Sequence, residues 1–95
     1  MANTKYDYFL VKQKDGRLLK FSYDSKEGIY YQILINNRWS ENINIYKDSF
    51  EYFYVFEEWN DRVHVLCQDI CGDLILCTLE MGEWKYKTIL YMRKL

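Results

Sequence analysis

Apolar and polar residues alternate along most of this chain, and in its second half the alternation is apolar on both sides. Side chains two positions apart share a face of an extended strand. In Arg62–Gln68, Val63, Val65 and Cys67 therefore fall on one face, with His64 and Leu66 on the other. In Asp73–Glu80, Ile75 and Cys77 oppose Leu74 and Leu76. Strands of this kind need cover on both faces. The run Arg38–Tyr46 differs, because Trp39, Ile43 and Ile45 alternate with Ser40, Asn42 and Asn44, the pattern of an outer, half-solvated strand.

Read in this way the chain predicts eight strands: Tyr6–Lys12, Arg17–Tyr23, Gly28–Ile35, Arg38–Tyr46, Glu51–Glu57, Arg62–Gln68, Asp73–Glu80 and Glu83–Tyr91. The breaks are short turns of Asp, Asn, Gly and Lys, and Asn36-Asn37 and Met81-Gly82 fit two-residue hairpin loops with positive φ. No connection is long enough for a helix, so neighbouring strands should run antiparallel throughout.

The strands fall into two sets displaced by 45 positions. Arg17 aligns with Arg62, Asp24 with Asp69, Leu34 with Leu79, Trp39 with Trp84 and Tyr46 with Tyr91, and the apolar positions and turns superpose without a gap. A period of this size is the mark of repeat architectures. The expected organisation is one domain over residues 1–95, with one repeat at 5–49 and a second at 50–95.

The segment Arg62-Val-His-Val-Leu-Cys-Gln-Asp, then Gly72-Asp-Leu-Ile-Leu-Cys, then Gly82-Glu-Trp84 and Ile89-Leu90 resembles one blade of bacterial β-propeller repeat proteins. Arg17 to Ile45 resembles a more diverged blade, with Asn37 where Gly82 stands. The resemblance implies an all-β fold of two tandem four-stranded antiparallel blades, and it implies no activity, since one fold hosts many functions. Two blades leave outward faces bare, whereas propellers typically close with about four to eight. Homo-oligomerisation is the expected remedy, with a trimer giving six blades favoured. A small eight-stranded up-and-down barrel is the alternative architecture.

Composition narrows the function classes. The 95 residues are 49% hydrophobic and 19% aromatic, with no proline, four glycines and a formal net charge of −1. Charges of both signs are interspersed, so no basic face points to nucleic acid. Residues 1–5 carry no apolar leader and no stretch is long enough to span a membrane, which predicts a cytoplasmic chain with no membrane partner. Cys67, Cys71 and Cys77 have neither a disulfide framework nor a zinc-ligand spacing, so neither metal nor cofactor is expected. With one histidine, His64, flanked by Val63 and Val65, nucleophilic catalysis has little support and the chain reads as a non-enzyme.

The candidate binding residues lie at a hairpin and on the first strand of each repeat. Glu57, Glu58 and Asp61 gather around Trp59, which aligns with Lys14, so the fold does not require an aromatic there. A large apolar side chain on a turn reads as a contact residue. Tyr8 and Tyr52 sit on strands that would line a propeller channel, where their hydroxyls could meet a ligand. Trp39 and Trp84 recur at one place in each repeat and read as structural. The function expected is a binding or scaffold module that self-assembles through blade faces. The alternatives are a lectin-like carbohydrate binder and a small inhibitor or adaptor of a protein partner acting through Trp59.

Overall fold

The computed structural model describes residues 8–92, and these form strands joined by turns. The elements are β1 (Phe9–Lys12), β2 (Leu18–Asp24), β3 (Gly28–Ile35), β4 (Arg38–Trp39), β5 (Ile43–Tyr46), β6 (Ser49–Glu57), β7 (Val63–Asp69), β8 (Leu74–Glu80) and β9 (Glu83–Leu90). Every pairing is antiparallel. β1, β2 and β3 run in order, with β4 and β5 both pairing on β3, and β6 to β9 make a second sheet in sequence order. Neither sheet closes on itself or on the other, so the barrel alternative is not the architecture. The start of the expected first strand, Tyr6 and Asp7, lies outside the described residues.

The expected fourth strand is broken in two. Ser40 turns its side chain back on the ladder: its Oγ accepts from the Ile33 N–H at 2.9 Å and donates to the Glu41 carbonyl at 2.9 Å. A hydroxyl bonded to nearby backbone competes with strand pairing, and β5 resumes only at Ile43.

The hairpins carry the backbone that their residues suggest. Asn36 and Asn37 have φ of 51° and 65°, and Met81 and Gly82 have 51° and 81°, the left-handed pair that matches strand twist in a two-residue loop. Gly28 meets a different demand. Its φ is +78°, and a Cβ there would run into the carbonyl oxygens of Tyr46 and Lys47, so the link from β5 to β6 passes directly over it.

The strand registers keep step across the two sheets. Phe9 faces Phe21 and Tyr54 faces Leu66; Leu19 faces Ile33 and His64 faces Thr78; Leu34 faces Trp39 and Leu79 faces Trp84. In each case the second pair lies 45 positions beyond the first. The β-bulges at Ile29/Tyr30 and Leu74/Ile75 obey the same displacement.

The sheets stack over one shared core. The first contributes Val11, Leu19, Phe21, Ile29, Tyr31 and Ile45, and the second Val63, Val65, Cys67, Ile75 and Cys77. Each large side chain so covered is worth about 1.5–3 kcal/mol of transfer free energy. Phe21 and Tyr31 stack at 5.4 Å, and Trp84 stands edge-on to both at 6.4 and 5.7 Å. Tyr86 fastens the outer part of the seam by donating its hydroxyl to the Ile45 carbonyl at 2.6 Å. Among the described residues, no helix is long and apolar enough to cross a membrane.

The two recurring tryptophans are thus not equivalent. Trp84 lies in the seam between sheets, whereas Trp39 pairs with Leu34 on the outer face of the first sheet, under the Lys20 ammonium at 4.7 Å. Trp84 packs against the shared core, while Trp39 packs on the outer face of its own sheet.

Candidate functional site

The acidic hairpin between β6 and β7 is built like the hairpin between β1 and β2. In the first, Gln13 N–H donates to the Arg17 carbonyl and Gly16 N–H to the Gln13 carbonyl; in the second, Glu58 N–H donates to the Arg62 carbonyl and Asp61 N–H to the Glu58 carbonyl. The left-handed position is Gly16 in one and Asp61 in the other, with φ of 94° and 71°. A residue with a Cβ is strained there by about 1–2 kcal/mol.

Asp61 has bonds that offset that strain. Its carboxylate accepts from the Lys14 N–H at 3.2 and 3.3 Å, and its carbonyl accepts from Gln13 Nε2 at 3.3 Å. The Lys14 ammonium donates to the Trp59 carbonyl at 2.9 Å. The hairpin named as a candidate binding site is therefore clamped to the other sheet, and Asp61 is its main fastening. Trp59 shares the turn but its indole points into solvent at 85% exposure, so only its backbone joins the clamp. Partial burial, and then the Asp61 carboxyl beside it, push the Glu57 carboxyl above the ordinary range.

Glu58 serves another neighbour. Its carboxylate meets His64 Nε2 at 2.6 Å, while His64 Nδ1 contacts the Thr78 hydroxyl at 2.9 Å and the ring stacks on Phe56 at 4.9 Å. Arg62 adds ion pairs with Glu58 at 3.9 Å and with Glu80 at 3.5 Å. His64 is 8% exposed, so a polar ring is held within an otherwise apolar sheet face by saturating both nitrogens. The sequence placed His64 in a strand, but its pairing with Glu58 runs across a hairpin and has no local signature.

A cleft of about 590 Å³ opens between the hairpins, lined by Gln13, Arg17, Tyr31, Arg62 and Glu80 among others. Gln13 is 6% exposed and its Oε1 has no hydrogen-bond partner among the described residues. The buried thiols of Cys67 and Cys77 lie side by side, and that contact together with burial holds Cys77 far above the usual thiol range. Cys71 is exposed on a turn, and among the described residues no group of His, Cys, Asp and Glu is arranged to hold a metal.

The tyrosines named from the sequence are split between the sheets. Tyr8, just ahead of β1, and Tyr52, in β6, are both about half-open to solvent, and Lys20 Nζ stands 5.8 Å from the Tyr8 ring. What the sequence named only as a bare face is, in the structure, a continuous strip on the second sheet: Tyr54, Phe56, Leu66, Leu74 and Leu76 around His64. No known protein family, curated protein or solved structure matches the chain.

Proposed function

We propose that the chain is a non-catalytic binding and scaffold module of propeller-blade type, which assembles with copies of itself through the outer faces of its two sheets. The observation that carries this reading is the apolar strip on the outside of the second sheet. There Tyr54 is 69% exposed, Phe56 is half-exposed, and Leu66, Leu74 and Leu76 are only partly covered. Large contiguous apolar patches on soluble chains mark interaction sites.

Light scattering across a micromolar dilution series tests the reading. The chain has a mass of 11.7 kDa, and we expect a particle of three chains carrying six sheets. A mass of 11.7 kDa at every concentration overturns the proposal.

A further inference from the structure

The stacking inside the chain gives the polarity of the stacking between chains. The face of the first sheet that enters the core carries Val11, Leu19, Phe21, Ile29 and Tyr31. Displaced by 45 positions, these become Phe56, His64, Leu66, Leu74 and Leu76, which lie on the outer face of the second sheet. The core face of the second sheet carries Val63, Val65, Cys67, Ile75 and Cys77. Displaced backwards, these become Leu18, Lys20, Ser22, Tyr30 and Gln32, on the outer face of the first sheet. The two sheets therefore meet front to back, by unlike faces, and each outer face is the positional counterpart of a face already in use inside the chain.

We infer that a second copy docks head to tail, placing the outer face of its first sheet on the outer face of this chain's second sheet. The inference rests on the self-assembly reading above and adds to it a direction and a set of contacts. Trp84 stands over Phe21 and Tyr31 within the chain, so the neighbour's Trp39 comes over Leu66 and Leu76. Phe53 meets Phe9 at 5.3 Å, so the neighbour's Tyr8 comes against Tyr54. Trp59 holds the position of Lys14, whose backbone and ammonium bind the opposite hairpin, so its exposed indole comes against the neighbour's turn at Gly16. A contact between unlike faces closes into a ring or runs on as a filament, whereas a contact between like faces stops at a dimer.

The faces also suit one another chemically. The outer face of the second sheet carries an apolar strip of Tyr54, Phe56, Leu66, Leu74 and Leu76 beside His64, bordered by Gln68, Thr78, Lys85 and Lys87. The outer face of the first is mixed: Tyr8, Leu10, Leu18, Tyr30, Leu34 and Trp39 stand among Ser22, Gln32 and Lys20, whose Nζ lies 4.7 Å from the Trp39 ring and 5.8 Å from that of Tyr8. Lys85 and Lys87 stand where the first repeat has Ser40 and Asn42, on an exposed edge strand, where they stay solvated.

Two face-blocked variants test the polarity. Tyr54→Arg with Phe56→Arg blocks one face, and Tyr8→Arg with Leu10→Arg blocks the other; all four side chains are substantially exposed in the single chain. Circular dichroism first verifies that each variant keeps its strand spectrum, and a variant that does not is replaced by its single substitutions at Tyr54 or Leu10. Each variant alone is expected to weaken self-association at least about tenfold and to run as a monomer. Mixed one to one they should form a dimer of twice 11.7 kDa, through the one intact face that each retains. Either variant dimerising alone would show that like faces meet, and a mixture that stays monomeric while the unmodified chain assembles would also overturn the inference. An unmodified chain that is itself monomeric defeats the self-assembly reading instead, so the two failures are distinct.

Discussion

At Trp84 a single side chain joins the two sheets, and it does so imperfectly. The ring is edge-on to Phe21 and Tyr31, yet its buried Nε1 has no hydrogen-bond partner among the described residues. An unmet buried donor costs about 1–3 kcal/mol, while the ring fills space that alanine would leave empty. We expect Trp84→Ala to lower stability by about 3 kcal/mol and Trp84→Phe by less than about 1.5 kcal/mol, since phenylalanine keeps much of the packing and removes the stranded N–H. Trp39→Ala should cost about 1 kcal/mol or less in urea unfolding at concentrations where the chain is monomeric, because its contacts among the described residues, with Leu34 and Lys20, lie within its own sheet. Equal losses at the two positions would sink the distinction. Nothing in the sequence separates these residues, as both follow a two-residue turn and precede an alternating strand. What separates them is which face the rest of the chain happens to cover, a tertiary fact without a local pattern. Asp61 is a similar case: the sequence names it as a candidate binding residue on an acidic turn, and only the packing of two hairpins shows it clamped to the opposite sheet.

Element by element, the strands follow from local rules, and so the sequence reading located them closely. Alternation fixes each strand, paired left-handed residues fix the two-residue hairpins, and the expected bounds of β3, at Gly28 and Ile35, are the observed ones. The reading failed at Ser40, where a hydroxyl returns to the backbone and interrupts a run whose apolar spacing alone looks continuous. The β8–β9 hairpin supplies a test of the turn argument. Met81 adopts φ of 51° and is fully exposed, so it has the cost of the left-handed backbone with no packing in return. Asparagine adopts this conformation more readily, and Asn-Gly is the preferred pair for the loop. Met81→Asn should therefore raise stability by about 0.5–1 kcal/mol in urea or thermal unfolding. A neutral or destabilising result would mean that the turn is held by something other than its own backbone preference.

For the molecule as a whole, the deciding feature is one core shared by two sheets. Neither sheet has a covered face without the other, so the chain should unfold in a single transition with coincident far-ultraviolet and tryptophan-fluorescence curves. Two separated transitions would show the sheets to be independent units. The alternation of strands and turns made an all-antiparallel fold legible in advance. The direction of the sheets' stacking was not legible, because it depends on which of two apolar faces of the second sheet turns inward, and both read alike in the sequence.

Among the described residues every strand pairs only with strands close to it in sequence, and the passage from one sheet to the other spans just Lys47 and Asp48. Ladder formation is thus a succession of short loop closures, each with a small entropic barrier. The late event is the docking of one finished sheet on the other. Until it happens, each nascent sheet shows a face that fits the opposite sheet of any molecule as well as its own. Crowded synthesis would then favour exchange of whole sheets between chains, and the two-residue passage, drawn tight over Gly28, is what holds the intramolecular partner within reach first.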